Sequence, residues 1–191
     1  EMNYAGGLSD QIAIPEKADV IINENIYTGM FFEKQVQIMN SMHQHLKRDG
    51  VTIPAEMHLY VALCETHFMQ PVSHKQLFVP ELEKKIKFRE LSKPVQYARL
   101  DFSKNVPITI DTKIPLIVSK QGTINSIIIY STIVMPSGKT ITRNATSFLN
   151  NDIILAIKPR VEVHKGDTMY LSMRYNCGDS PLKAKITVSS T

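Results

Sequence analysis

Two glutamates, Glu24 and Glu33, lie nine positions apart in "VIINENIYTGMFFEKQVQIM". An apolar run leads into the first, and a helix-like period starts at the second. A carboxylate pair of this kind can accept several hydrogen bonds and balance a positive charge. Glu33 also has a plain structural use, since an acid favours the positive N-terminal end of a helix.

The elements around the pair must position it. "ADVIINE", residues 18–24, reads as a short parallel strand covered on both faces. Ligands in open α/β sheets gather at the carboxyl ends of such strands, so Glu24 sits where chemistry usually happens. From Phe32 the period changes: Phe32, Val36, Met39, His43 and Leu46 share one helical face. "KRDG" is expected to close that helix, with Gly50 as a left-handed cap. "VTIPAEMHLYVALCE" reads as a further strand that bends or changes sheet at Pro54.

The character shifts after about residue 56. Short β-rich segments follow: "HLYVALCE", "VQYARLDF", "PITIDTKIPLIVS", "INSIIIYSTIVM", "KTITRNATSFL", "IILAIKP", "DTMYLSMRYN" and "KAKITVSS". Gly, Pro, Asn and Asp punctuate them, as in "KQGT" and "HKGD". That spacing predicts an antiparallel barrel or sandwich. Only "PELEKKIKFREL" in this half reads as helix. Two parts are expected, residues 1–55 and residues 56–191.

Composition narrows the function classes. The 191 residues are 43% hydrophobic and 21% charged, with a net charge of +4. These are values of an ordinary globular chain. Basic residues are scattered or interrupted by acids, so no nucleic-acid partner is expected. The longest apolar runs are too short to cross a bilayer as a helix. With no signal peptide visible, a cytoplasmic location and two reduced thiols, Cys64 and Cys177, are expected. No metal is expected: His43 and His45 are two apart and do not share a helical face, and the other histidines lack ligand spacing. "PSGKT" lacks the first glycine of a phosphate loop, because Ile133 stands there.

"KADVIINENIYTGMFFEKQVQIMNSMHQHLKRDGVTIPAEMHLYVA" resembles the middle of the protein arginine methyltransferases. In that family a strand of the form K-x-D-x-I-x-S-E opens a double-glutamate loop, and a helix and a strand then lead into a β-barrel. "VHKGDTMYLSMRYN" and "PLKAKITV" look like the last strands of that barrel. The resemblance implies an α+β fold: the C-terminal fragment of a Rossmann-like methyltransferase sheet, then an antiparallel β-barrel or sandwich. It implies S-adenosylmethionine as cofactor and a guanidinium held by Glu24 and Glu33. A guanidinium is a planar fork of five donors, which suits carboxylates. Tyr27 and Met30 lie between the glutamates and are candidates to line the same substrate pocket; loop packing accounts for them equally well.

The sequence also departs from the family. Asn25, Ile26 and Tyr27 replace a tryptophan, a methionine and a glycine after the first glutamate, with Gly29 two places later. Ile141 and Thr142 stand where a late loop carries His and Trp. The glycines of "YAGGLSD" precede a strand rather than follow one, the wrong order for a cofactor turn. The cofactor residues are therefore expected outside this chain, in roughly a hundred residues preceding Glu1. The methyl acceptor could be a protein or a small molecule. A non-catalytic β-barrel interaction module is the third reading. An unpaired sheet edge would make the chain self-associate through residues 10–60, or pair with the missing N-terminal half.

Overall fold

The computed structural model describes residues 6–7, 11–12, 14–68, 77–78, 86–143 and 151–190. Strand β1 (Ala18–Ile22) pairs in parallel with β2 (Leu46–Ile53), and helix α1 (Gln35–Met42) lies on the crossover between them. The remaining strands are β3 (Glu56–His67), β4 (Leu77–Phe78), β5 (Lys87–Glu90), β6 (Val95–Asp101), β7 (Thr109–Ile117), β8 (Gly122–Val134), β9 (Thr140–Ile141), β10 (Ile153–Val163), β11 (Thr168–Asn176) and β12 (Lys185–Ser190). One antiparallel sheet runs β4-β10-β8-β3-β5, with β6 also on β3 and β9 on β8. A second antiparallel sheet runs β12-β11-β7. The chain is thus mostly β, and among the described residues its sheets do not close into a barrel.

Residue alternation explains the layers. In β8 the run from Ile124 to Ser131 is buried throughout. Ile127 and Ile129 enter the main core, while Ile128 and Tyr130 join a second cluster on the opposite face. β3 divides in the same way, Leu59, Val61 and Leu63 against Ala62 and Cys64. A strand covered on both faces reads as a continuous apolar run. β11 shows the other pattern: Met169, Leu171, Met173 and Tyr175 point inward, and the residues between them are half-buried or exposed. Its one-sided burial keeps the alternation visible in the sequence.

Polar groups close the second face. The Arg143 guanidinium lies 3.7 Å over the Tyr130 ring. It donates to Asp152 Oδ2 from Nε at 3.0 Å and to Glu90 Oε1 at 3.2 Å, and the Tyr130 hydroxyl also donates to Glu90.

Three expectations need correction. The helix does not run on to "KRDG": α1 ends at Met42, a short 3-10 turn spans His43–His45, and Leu46 opens β2. Gly50 lies inside β2 and does not take the left-handed conformation. The ladder between β1 and β2 is irregular between Ala18 and Val20, where β2 carries extra residues. A Cβ on Gly50 would sit 2.7 Å from Leu46 Cδ1 and 3.1 Å from the Asp19 carbonyl, so close approach is its role there. The expected helical stripe shrinks with the helix. Val36 and Met39 are fully buried, but Phe32 precedes the helix at φ 60° and is 45% exposed. In "PELEKKIKFREL", Lys87–Glu90 is strand β5, held by pairing with Cys64–His67 of β3; residues 80–85 lie outside the described residues. The segment "KTITRNATSFL" contributes β9, and its residues 144–149 are likewise outside them.

Pro54 does turn the chain: β2 ends at Ile53, and β3 starts at Glu56 in a different sheet. Glu56 accepts from Arg99 Nε and Nη2 at 2.6 Å each and is paired with His58 Nε2 at 2.7 Å. The Arg99 bonds, then the His58 bond, hold its carboxyl down from an ordinary 4.5 to about 2. Because the folded value lies below the unfolded one, the stabilisation is complete above pH 4.5 and is lost as pH falls toward about 2. Glu56→Gln should flatten the acid limb of the stability curve across that window. Urea melts at a series of pH values test this, and an unchanged slope would refute it.

No helix among the described residues is long and apolar enough to cross a membrane.

Candidate functional site

β1 delivers the chain to the site. The Asn23 amide continues the parallel pairing by donating to the Ile53 carbonyl at 2.9 Å. The buried Asn23 side chain then accepts from the Asn25 amide at 2.8 Å, an Asx turn that bends the chain outward at Glu24. Glu24 is exposed and Glu33 half-buried. Asn25 Nδ2 donates to Glu33 Oε2 at 3.4 Å, so the exit of β1 and the approach to α1 meet across this carboxamide. Glu24 adjoins that contact, with Asn25 its immediate neighbour in the chain.

The residues between the glutamates fold into a tight loop. Gly29 (φ 70°), Met30 (φ 61°) and Phe32 (φ 60°) all take left-handed backbone. Such conformations cost about 1–3 kcal/mol each in non-glycine residues and persist only where the surroundings enforce them. A Cβ on Gly29 would lie 2.7 Å from the Phe31 ring and 3.3 Å from Ile129 Cγ2, so glycine is required on two counts. Met30 and Phe31 are 1% and 0% exposed and anchor the loop in the main core. Tyr27 is half-buried; its ring meets Phe32 edge-on at 5.1 Å, and burial pushes its hydroxyl up. Of the four residues singled out from sequence, Glu24, Glu33 and Tyr27 reach the surface and Met30 packs beneath them.

The β layer holds this loop from below. Ser131 Oγ accepts from the Gly29 amide at 3.0 Å, and the Tyr175 hydroxyl donates to the Gly29 carbonyl at 2.8 Å. Thr28 Oγ1 donates to the Asn151 carbonyl at 2.7 Å. The Gly178 amide donates to the Met30 carbonyl at 2.7 Å, and the Phe32 amide to the Asp179 carbonyl at 3.1 Å. Helix α1 is stitched down along its length. Gln37 Nε2 donates to the Cys177 carbonyl at 2.5 Å, Asn40 exchanges two bonds with the Val106 backbone, and His43 Nε2 bonds the Phe102 carbonyl at 2.7 Å.

Ser131, Tyr175, Gln37 and Asn40 were not found from sequence. One faint signal was available for Tyr175: alternation in "DTMYLSMRYN" turns it inward, and a buried phenol needs a partner. Beyond the 176–179 turn a cleft of about 260 Å³ is lined by Thr109, Arg174, Tyr175, Asn176, Asp179, Lys183 and Lys185, none of them from the glutamate loop. Among the described residues no group of three or more His, Cys, Asp or Glu could hold a metal ion.

Among solved structures the chain is similar to a chain of the Trypanosoma brucei PRMT1 enzyme–prozyme heterotetrameric complex with AdoHcy: 95% of it superposes on 70% of that chain, at a TM-score of 0.68 and 11% identity. The fold is methyltransferase-related. At that identity the likeness shows the fold alone. No protein-family model matches the chain. An uncharacterised protein of Methanocaldococcus jannaschii is 32% identical over 149 residues, 77% of this chain. The match spans 53% of that protein's length, so this chain covers about half of it.

Proposed function

We propose that the protein is part of an S-adenosylmethionine-dependent methyltransferase acting on a guanidinium nitrogen of arginine in a protein substrate. Support comes from the methyltransferase-related fold together with the two glutamates at the ends of one tightly held loop. In this reading residues 1–55 end a Rossmann-like domain and residues 56–191 form a substrate-side β domain. The cofactor, which supplies an electrophilic methyl group, binds largely outside this chain. An exposed apolar face on β1 and β2, with Val20, Ile22 and Val51 at 44%, 72% and 41%, suits a covering layer from an N-terminal half. Without that half, the same face and the β1 edge favour self-association. The setting is cytoplasmic, which two buried free thiols suit.

Glu24 and Glu33 bind two edges of the guanidinium and draw its charge away from the nitrogen that attacks. Tyr27 and Met30 shape the pocket, Tyr27 at its wall and Met30 as the floor of the loop. Catalysis is then mainly positioning, where a displacement of about 1 Å costs roughly a hundredfold.

A second reading keeps the fold and changes the acceptor to a small molecule. It is favoured by Asn25, whose carboxamide already occupies one oxygen of Glu33, and by Ile141 and Thr142 where the family has His and Trp. A non-catalytic interaction module is the remaining alternative. In the full natural protein, Glu24→Gln should lower methyl transfer to arginine peptides by roughly a hundredfold. Undiminished turnover would remove Glu24 from the mechanism. Transfer to small amines but not to arginine peptides would favour the second reading.

A further inference from the structure

The loop between the glutamates makes few bonds with itself. Internally, the Ile26 amide reaches the Glu24 carbonyl, the Met30 amide the Tyr27 carbonyl and the Glu33 amide the Phe31 carbonyl. The Asn25 amide bonds the Asn23 side chain, and from Gly29 to Phe32 the loop's backbone is tied to Ser131, Tyr175, Gly178 and Asp179. Three left-handed residues in four would not persist in a free loop.

Among these contacts Tyr175 is a buried side chain with a partner of its own. It lies near the end of β11 and is 4% exposed, with its ring against Phe31 at a centroid distance of 4.5 Å and 31° between planes. Its hydroxyl lies 2.9 Å from that of Tyr97 on β6. The proton directions are forced. A carbonyl can only accept, so the single Tyr175 proton points at Gly29. The Tyr97 proton must then point at Tyr175. Burial raises both phenols above their ordinary range, which keeps both protons in place.

We propose that Tyr175 is a positioning residue: its hydroxyl, which also accepts from Tyr97, latches the Gly29 carbonyl and so sets the loop that spaces Glu24 from Glu33 for the acceptor. Its catalytic part rests on the methyltransferase reading; the latch itself does not. Tyr97 and Tyr175 come from different sheets, so the latch also ties the glutamate loop to the seam between them. If the loop opens, only a fraction of molecules is competent to bind. The apparent affinity for the acceptor falls by that fraction, while the bound complex still turns over.

Tyr175→Phe keeps the ring and removes only the hydroxyl. Tyr97→Phe leaves the bond to Gly29 intact and serves as the matched control. Hydrogen exchange is read at the amides of Gly29, Met30 and Phe32, with Ile127–Ile129 of β8 reporting the core. In Tyr175→Phe the loop amides should exchange roughly tenfold faster. In Tyr97→Phe they should hold, whatever the core does. Equal response of the loop in both variants, or no response in Tyr175→Phe, overturns the latch. In the full natural protein, with an arginine-rich peptide and S-adenosylmethionine as probes, Tyr175→Phe should raise KM roughly tenfold with kcat little changed. A fall in kcat at constant KM overturns the positioning role. If Glu24→Gln leaves turnover intact, the functional reading fails, and the exchange contrast still decides the latch.

Discussion

Phe31→Ala is expected to lower the free energy of unfolding by about 3–5 kcal/mol, the usual range for truncating a buried aromatic. Phe31 is fully buried beneath the glutamate loop, against Tyr175. Truncation removes the ring's transfer free energy and leaves a cavity whose walls cannot easily collapse. On one side stands the loop, fixed by bonds to Ser131 and Tyr175; on the other stands the buried Tyr175 ring. For a domain stable by about 5–15 kcal/mol, a loss of that size is a large share of the total. Urea melts followed by circular dichroism measure it from the shift in midpoint at constant slope. A change below about 1 kcal/mol would mean that the ring is not packed as described.

Gly29→Val is the second large effect. The β-branched side chain must adopt φ near 70°, where L residues are strained by about 1–3 kcal/mol. Its Cβ also meets the Phe31 ring at 2.7 Å, and overpacking adds about 1–3 kcal/mol more. Relief by moving the loop would break the bonds at the Gly29 amide and carbonyl and misplace both glutamates. The expected result is a loss of about 2–5 kcal/mol. Gly138→Val, another left-handed glycine with nothing within 4 Å of the added Cβ, separates the two terms. It should show the strain alone. Equal losses at the two positions would show that the contact with Phe31 contributes nothing.

Much of the architecture could be read from residue order, for identifiable reasons. β11 is buried on one face and alternates; β8 is buried on both and is unbroken apolar from Ile127 to Tyr130; both patterns arise from neighbours within the strand. The glutamate spacing was legible because a strand end and a helix start bracket it. The end of α1 was not. "KRDG" has the composition of a helix terminus, yet pairing with β1 draws those residues into β2. β5 was missed because its conformation comes from β3, more than twenty positions earlier. The loop's restraints were the least legible of all. Tyr175 and Gly29 are 146 positions apart, and nothing local in either segment encodes their meeting.

One hydrophobic cluster contains Ile21 and Ile26, Val36 and Met39 of the helix, and the inward rows of both antiparallel sheets. The βαβ crossover therefore owns no private interior. Severing the chain at the turn between Ile53 and Glu56 would not liberate a folded half, because each piece would carry away one wall of the same room. Heat should dissolve both together, in a single calorimetric step.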